Sequence, residues 1–463
     1  MCAAFTRRAA RPGCIGCRRM NTRDTQQTAV NRRIAFTTLG CKLNQYETES
    51  LATRFADAGY RIVPFNEPAD AYVVNTCTVT NKADRKTRNT INRAVRASED
   101  LVVVTGCFAS TGREELERNP SLLVVENEHK NRVFEMVEAH FNDEMFDRNA
   151  VPGDVFAFPV ADRVFHTRGM VKIQDGCDNF CTFCIIPYVR GTARSRPHRE
   201  ILNDVSETIA RGTKEIVVTG VNMSRYDDGE LDFAGLIERI VELPGEFRVR
   251  VSSLEPDHIT DRFIKLLDHP KLCSHLHLCL QSGSERILLA MRRQYTYSGY
   301  RAIVEKIRTA QPLFNITTDI IVGFPAETEV EFNETCAAIH EIGFSHIHTF
   351  PYSRRSGTRA DRMPGQVPEK TKTERGEVIR TLGAEYKTRY RKSLIGTRQE
   401  LLVERSLNGE ASGYGELYTP LRVIAPPSGD EPAVNDFIDV KITSIVYGDE
   451  PELIAVPILD LPY

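Results

Sequence analysis

The chain has 463 residues, 41% of them hydrophobic and 27% charged, with a net charge of −3; that length exceeds one ordinary core and implies several domains of roughly 100 to 200 residues each. No apolar run approaches the roughly 18 residues of a membrane span, so no membrane role is expected, and the near-neutral balance excludes a generic polycation. Twelve cysteines without the apolar stretch of a signal peptide fit a reducing, cytoplasmic setting in which thiolates bind metal rather than form disulfides.

Residues 1–31 carry Arg7, Arg8, Arg11, Arg18, Arg19 and Arg23 against a single acid, Asp24. They read as a disordered extension, compatible with an organelle transit peptide or with a true start at Met20. Cys14 and Cys17 form a CxxC that lacks a second pair. From Arg33 onward short apolar runs alternate with helical stretches, a β/α pattern. Ile34 to Leu39 leads to Gly40 and Cys41, Ala71 to Val74 to Cys77, and Leu101 to Val104 to Gly106 and Cys107. In a parallel sheet all strand carboxyl ends share one edge, so these three cysteines can converge on a metal cluster, whereas any one alone would read as a small buried residue. Lys82, Arg85, Lys86, Arg88, Arg93 and Arg96 face one acid, Asp84, and form a basic helix face, either solvated or phosphate-binding.

Cys177, Cys181 and Cys184 form a CxxxCxxC after an Asp175-Gly176 turn. Three thiolates on one loop can hold three irons of a 4Fe-4S cube and leave the fourth iron open. An open iron can chelate the amino and carboxylate groups of S-adenosylmethionine (SAM) and deliver the electron that cleaves it to an adenosyl radical. Zinc is the competing reading, but its motifs pair such a run with further Cys or His at characteristic spacing, which this stretch lacks. Phe183 either shields such a cluster and packs on adenine or belongs to the core.

The CxxxCxxC with an aromatic before its last Cys resembles the signature of the radical SAM superfamily. Ile186 to Gly191 (IPYVRG) and Gly40 to Asn44 (GCKLN), with Cys77 and Cys107, resemble its methylthiotransferase branch. The resemblance covers about Arg33 to Val456. It implies two 4Fe-4S clusters, one on Cys177, Cys181 and Cys184 for SAM cleavage, the other on Cys41, Cys77 and Cys107 holding sulfur that a second SAM methylates. It also implies an external electron donor, a sulfur source and no acid–base side chain in catalysis.

After the loop, strand-like runs at Met170 to Gln174, Glu215 to Thr219, Arg248 to Ser252, Leu276 to Leu280, Ile316 to Val322 and His346 to Phe350 suggest an incomplete parallel (β/α)6 barrel. Polar residues after these strands are either loop chemistry or the site edge. By resemblance Asn222, Ser253, Glu255, Gln281 and Asp319 are the SAM contacts. Cys279 stands where the family usually has Pro and is expected to be a buried, unligated thiol; Cys273 and Cys336 read as core or helix residues.

Lys370 to Arg398 is basic and helical, a linker with phosphate-binding potential. Five short strands follow, at Gln399 to Glu404, Ala411 to Tyr414, Arg422 to Ile424, Phe437 to Ser444 and Leu453 to Val456, which suggest an OB-like β-barrel. The fold class is thus α/β, divided into the extension at 1–31, a parallel-sheet α/β domain with the auxiliary cluster at 32–148, a radical SAM core at 163–393 and a TRAM-like barrel at 396–460. The family's TRAM module is thought to hold RNA, but here it is acidic, which directs phosphate contact to Lys82–Arg96, Arg190–Arg199, Arg354–Arg362 and the linker. Gly40 to Glu47 resembles the group acting on N6-threonylcarbamoyladenosine beside the anticodon of tRNA, and Lys42 is a candidate partner for that arm's carboxylate, or a solvent-facing lysine. The alternatives are isopentenyladenosine in tRNA or a ribosomal-protein aspartate as substrate, an electron-transfer protein, and a non-catalytic iron–sulfur RNA-binding protein.

Overall fold

The computed structural model describes residues 32–98, 100–147, 153–162, 165–424, 431–448 and 450–458, so the expected extension, with Cys14, Cys17 and Met20, lies outside the described residues. β1 (Arg33–Thr38), β2 (Arg61–Val63), β3 (Ala71–Thr76), β4 (Leu101–Gly106) and β5 (Leu122–Val125) form an all-parallel sheet in the order β2-β1-β3-β4-β5. β3 and β4 are buried along their whole length, which is why they read as unbroken apolar runs instead of alternating. One face packs Phe36, Val73 and Val103 on Phe55 and Val137; the other packs Tyr72, Val74 and Val102 under Ile91 and Phe108. The short strands β2 and β5, which the sequence reading did not separate, complete the two edges.

A second, curved sheet follows. It comprises β6 (Gly169–Lys172), β9 (Glu215–Thr219), β10 (Arg248–Val251), β11 (Ser253–Leu254), β12 (His275–Leu278), β13 (Asn315–Val322) and β14 (His346–Pro351). Between β6 and β9 a small antiparallel pair, β7 (Gln174–Asp175) and β8 (Arg194–Ser195), brackets the CxxxCxxC loop. β6, β9 and β10 pair in parallel, as do β11 through β14, and the halves join where Val249 bridges Leu272, the Cys273 N–H donating to the Val249 carbonyl at 2.9 Å. The edges β6 and β14 do not pair with each other, so the barrel is open on one side, as expected for a (β/α)6 arrangement. Its helices bury an aliphatic core around Val218, Ile240, Leu276 and Ile339.

β15 (Arg398–Leu407), β16 (Glu410–Tyr414), β17 (Pro420–Ile424), β18 (Phe437–Val446) and β19 (Glu452–Pro457) close into a five-stranded barrel, matching the OB-like expectation. It docks on the open barrel through β10 and the start of β13. Arg248 donates to the carbonyls of Glu400 (2.6 Å) and Tyr414 (2.8 Å), Arg250 to that of Gly415 (3.1 Å), and Asn315 to that of Leu417 (2.5 Å). Both arginines pair with buried Glu215 at 2.7 Å. Burial alone would raise that carboxyl's pKa, but Arg250 and Arg248 outweigh it and hold it below the usual carboxylate range.

The basic linker helix, Glu369–Ser393, departs from the expectation that it offers its charge to phosphate. Lys372 and Arg375 are buried, Arg375 pairs with Glu327 at 2.7 Å, and Lys387 and Arg391 pair with Glu450 at 2.9 and 2.7 Å. Half of its cations serve to fasten this helix between the open barrel and the C-terminal one.

Candidate functional site

The parallel register of the first sheet brings three strand ends together. Cys41 caps the helix Lys42–Asp57, Cys77 follows β3, and Cys107 opens the helix Cys107–Thr111. Gly40 has φ +103, and a Cβ there would lie 2.8 Å from Cys77 Cβ and 3.1 Å from its sulfur; Gly106 has φ +94, and its Cβ would meet Asn75 Oδ1 at 2.6 Å. Only glycine allows the chains carrying Cys41 and Cys107 to approach the Cys77 strand so closely. The thiols lie near enough to perturb one another: burial raises the pKa of Cys77 to about 11, with further upward contributions from Cys107 and Cys41.

The second triad is local. Cys177, Cys181 and Cys184 are all partly buried on the loop that β7 and β8 bracket, closed by the Cys184 N–H to Cys181 carbonyl bond at 2.9 Å. Arg293 donates to Cys181 Sγ at 3.1 Å, and the side-chain amide of Asn222 lies 3.8 Å from Cys177 Sγ. In the strand-end triad Asn127 plays the equivalent part, 3.8 Å from Cys107 Sγ. Soft sulfur donors met by N–H groups suit an anionic iron–sulfur cluster. Among the described residues the one His/Cys/Asp/Glu triplet with all ligand atoms within 4.8 Å is His277, Asp319 and His348.

A buried charge network joins the two triads. Arg190 donates to Glu47 (3.1 and 3.2 Å), Asp175 (3.0 and 3.1 Å) and Asn44 (2.6 Å). Lys130 binds Glu47 at 2.5 Å, and Lys172 binds Glu47 at 3.0 Å and Asp175 at 2.6 Å. Three cations thus meet two carboxylates with almost no solvent, leaving one positive charge in excess. Cys41 and Cys107 both lie within electrostatic reach of Arg190, so the excess charge faces the strand-end sulfurs. Cys107 also packs on Ile185 and Val189, just after Cys184. None of these five residues was singled out from sequence as a charge partner. Their separation along the chain hides the pairing, although Glu47 and Arg190 lie within the stretches that carried the resemblance.

Of the residues expected to hold SAM, Asn222 is buried beside Cys177, and its N–H donates to Gln174 Oε1 at 2.8 Å. Gln281 adopts φ +68, with its N–H on the Asp319 carbonyl at 2.8 Å. Gln281 and Asp319 line a cavity of 170 Å³ with Phe183 and Cys184, which places that aromatic where a planar base could pack. Glu255 faces Arg293, which in turn reaches Cys181; Arg293 carried no sequence signal. Ser253 is exposed and borders two larger cavities, of 430 Å³ beside Cys41 and of 530 Å³ against the C-terminal barrel. Cys279 and Cys273 are buried, and Cys336 is half-buried in the helix Glu329–Ile342.

Comparison with known proteins matches residues 33–125 to an uncharacterised family designated UPF0004 and residues 171–339 to the radical SAM superfamily. The chain is 39% identical to the threonylcarbamoyladenosine tRNA methylthiotransferase MtaB of Bacillus subtilis, over 89% of this chain and 94% of that protein. The chain belongs to the radical SAM methylthiotransferase family. It is also 36% identical to MtaB of Thermotoga maritima, over 89% and 95%, and 37% identical to the tRNA-2-methylthio-N(6)-dimethylallyladenosine synthase of Geobacter sulfurreducens, over 81% and 87%. The solved structure of the radical SAM methyltransferase TsrM from Kitasatospora setae superposes with a TM-score of 0.54 at 14% identity, covering 72% of this chain and 77% of that one, a likeness of fold.

As a surface, this methylthiotransferase presents Lys82, Arg85, Lys86, Arg93 and Arg96 exposed on the helix Asn81–Ala97. That helix is clamped to the segment after β14: Arg355 is buried and binds Asp84 (2.7 Å) and Thr78 (2.9 Å), while Arg359 and Arg362 stay exposed. The stretch from Arg190 to Arg199 contributes less than expected, because Arg190 belongs to the buried network and Arg196 is tied to Asp204 at 2.5 Å. Phe180 and Tyr188, both exposed and 6.0 Å apart, flank the cysteine loop.

Among the described residues no helix is long and apolar enough to cross a membrane.

Proposed function

We propose that this protein methylthiolates C2 of N6-threonylcarbamoyladenosine beside the anticodon of tRNA, with SAM as radical source and methyl donor. The carrying observation is the meeting of two thiol triads, one topological and one local, across a single buried charge network, with one cavity beside Cys41 and another beside Cys184. The substrate assignment draws on the curated relatives that share 33–39% identity over most of the chain and carry that activity in their names.

In this reading Cys177, Cys181 and Cys184 hold one 4Fe-4S cluster and Cys41, Cys77 and Cys107 the other. Bound there, these clusters and SAM supply one-electron cleavage chemistry and transferable sulfur, which an aromatic C–H without useful acidity requires. The protein's own residues aim. Gln281 and Asp319, with Phe183, shape the nucleoside side of the SAM site. Asn222 and Arg293 donate hydrogen bonds to the sulfurs of Cys177 and Cys181, and Glu255 and Ser253 complete the rim. The exposed cations of the helix Asn81–Ala97, with Arg359 and Arg362, receive RNA phosphates, and Phe180 and Tyr188 offer faces for unstacked bases. An external electron donor and a sulfur source act with it in the cytoplasm.

The test is incubation of the anaerobically reconstituted enzyme with one tRNA carrying threonylcarbamoyladenosine and one carrying isopentenyladenosine, followed by nucleoside mass spectrometry. Methylthiolation of the first only is expected. Product on the isopentenyl tRNA alone would move the protein to the sister activity.

A further inference from the structure

The cavity of 530 Å³ lies between the turn joining β16 to β17 and the strands β12, β13 and β14 of the open barrel. Its wall mixes polar groups with the rings of Phe350, Tyr390, Tyr414 and Tyr418, and nearly every formal charge on it is matched. Arg391 pairs with Glu450 at 2.7 Å, and Asp319 lies 3.2 Å from His277 Nε2. Lys42 is the exception: among the described residues no carboxylate is in ion-pair contact with it, and its ammonium rests 5.4 Å from the face of Tyr418. Nearby cations on the same tyrosine are satisfied, Arg250 by Glu215 at 2.7 Å and Arg168 by Glu404 at 3.0 Å. A half-buried ammonium with an aromatic face and no anion is an incomplete ion pair whose missing member is a ligand.

Position gives that ligand its chemistry. Lys42 follows Cys41 directly, and Lys42, Ser253 and Tyr418 form the wall common to this cavity and the 430 Å³ cavity beside Cys41. In adenine, C2 and N6 flank N1 on one edge. A base that presents C2 toward Cys41 therefore directs its N6 substituent along the shared wall. Resting on the substrate reading above, we propose that the 530 Å³ cavity receives the threonylcarbamoyl arm, with Lys42 pairing its carboxylate and His348 bounding the arm opposite. His348 is exposed toward this space, its ring 5.5 Å from that of His277, which Thr317 holds at 3.0 Å. A hydrocarbon arm would leave Lys42 without a counter-ion and lay methyl groups against imidazoles. The discrimination therefore rests on Lys42, because the aromatic part of the wall accommodates either arm.

The decisive comparison uses full-length reconstituted enzyme and three anticodon stem–loop RNAs, bearing threonylcarbamoyladenosine, its carboxyl methyl ester, or isopentenyladenosine. Dissociation constants are read alongside methylthiolation. Wild type is expected to bind the acid roughly 30- to 100-fold more tightly than the ester. In Lys42→Met that preference should fall below about threefold, and Lys42→Arg should recover part of it. Because Lys42 adjoins Cys41, iron content is measured on each variant, and the acid-to-ester ratio on wild type needs no variant at all. Equal wild-type affinity for acid and ester, or full preference retained in Lys42→Met, overturns the carboxylate pocket while threonylcarbamoyl RNA can still be the substrate. Turnover of the isopentenyl RNA alone overturns the substrate reading and this pocket with it.

Discussion

Cys177, Cys181 and Cys184 reach one another along a single loop, whereas Cys41, Cys77 and Cys107 come from three strands and meet only because β1, β3 and β4 lie side by side in parallel. The loop needs little more than its own turn and the β7–β8 pair to assemble. The strand-end triad needs the whole five-stranded sheet, with glycines at positions 40 and 106 where a side chain would collide. A local ligand set is insensitive to distant changes, and a topological one reports on the integrity of the fold.

The largest effect that would break this comparison comes from removing each triad in turn. Changing Cys177, Cys181 and Cys184 together to Ala should abolish both SAM cleavage and methylthiolation and remove about half the iron. Changing Cys41, Cys77 and Cys107 together should also remove about half the iron and abolish methylthiolation, yet spare SAM cleavage to 5′-deoxyadenosine. Iron analysis with product chromatography separates the two, and full turnover by the strand-end variant would reduce those cysteines to packing residues.

How much was legible in sequence follows the same division. The loop triad could be read from spacing, and the strand ends from the recurrence of an apolar run followed by Cys. The six barrel strands and the five-stranded closed barrel were readable from periodicity, because each strand's burial is a local pattern. What stayed hidden was pairing between distant segments. Glu47 lies on a helix, Lys130 on a short turn, Lys172 on β6 and Arg190 after the cysteine loop, and nothing in their local spacing announces that they share one buried site. Basic composition misled for the same reason. Arg190, Arg196, Arg375 and Arg391 count as positive charge in sequence but are spent inside the molecule.

The charge network joins the two cysteine sites through Arg190. Arg190→Met removes the one residue that binds Glu47, Asp175 and Asn44 together and leaves two buried carboxylates with weaker compensation. A loss of about 3–5 kcal/mol in urea unfolding is expected. Arg190→Lys should recover little of it, since an ammonium cannot reproduce the planar fork that spans two carboxylates. Iron retention should fall more at the strand-end triad than at the loop, because Arg190 lies within electrostatic reach of Cys41 and Cys107. Equal retention at both would mean that the network is structural support for neither in particular.

A smaller, site-selective change should come from Arg293→Gln. It replaces the cation 3.1 Å from Cys181 Sγ with a neutral donor, and loss of positive charge beside a thiolate favours the oxidised cluster. The midpoint potential of the loop cluster should move to more negative values while that of the strand-end cluster stays fixed, as followed by electron paramagnetic resonance in a redox titration. Parallel shifts in both clusters would show that they share one electrostatic environment instead of two.

The subtlest effect lies in the pH dependence of the network. Burial pushes the carboxyls of Glu47 and Asp175 upward, but the cations, Arg190 first, outweigh it and hold both below their ordinary values of 4.5 and 3.8. A depressed carboxylate pKa contributes stability that is complete above the unfolded value and lost as pH falls through the folded one. In the wild type this contribution is therefore flat from about pH 5 upward and declines only in stronger acid. Arg190→Met removes the largest downward influence, so both carboxyls rise toward or past their unfolded values and can be relieved by taking up a proton. The stability deficit of the variant should accordingly be greatest near pH 7.5 and shrink by roughly 1 kcal/mol near pH 4.5, about the free energy of one pKa unit. Urea unfolding of both proteins at the two pH values measures it. A deficit that is the same at both, or that grows in acid, would mean that the surviving lysines, Lys130 and Lys172, keep both carboxylates ionised without Arg190. The network would then be two separate ion pairs and not one unit spanning the two cysteine sites.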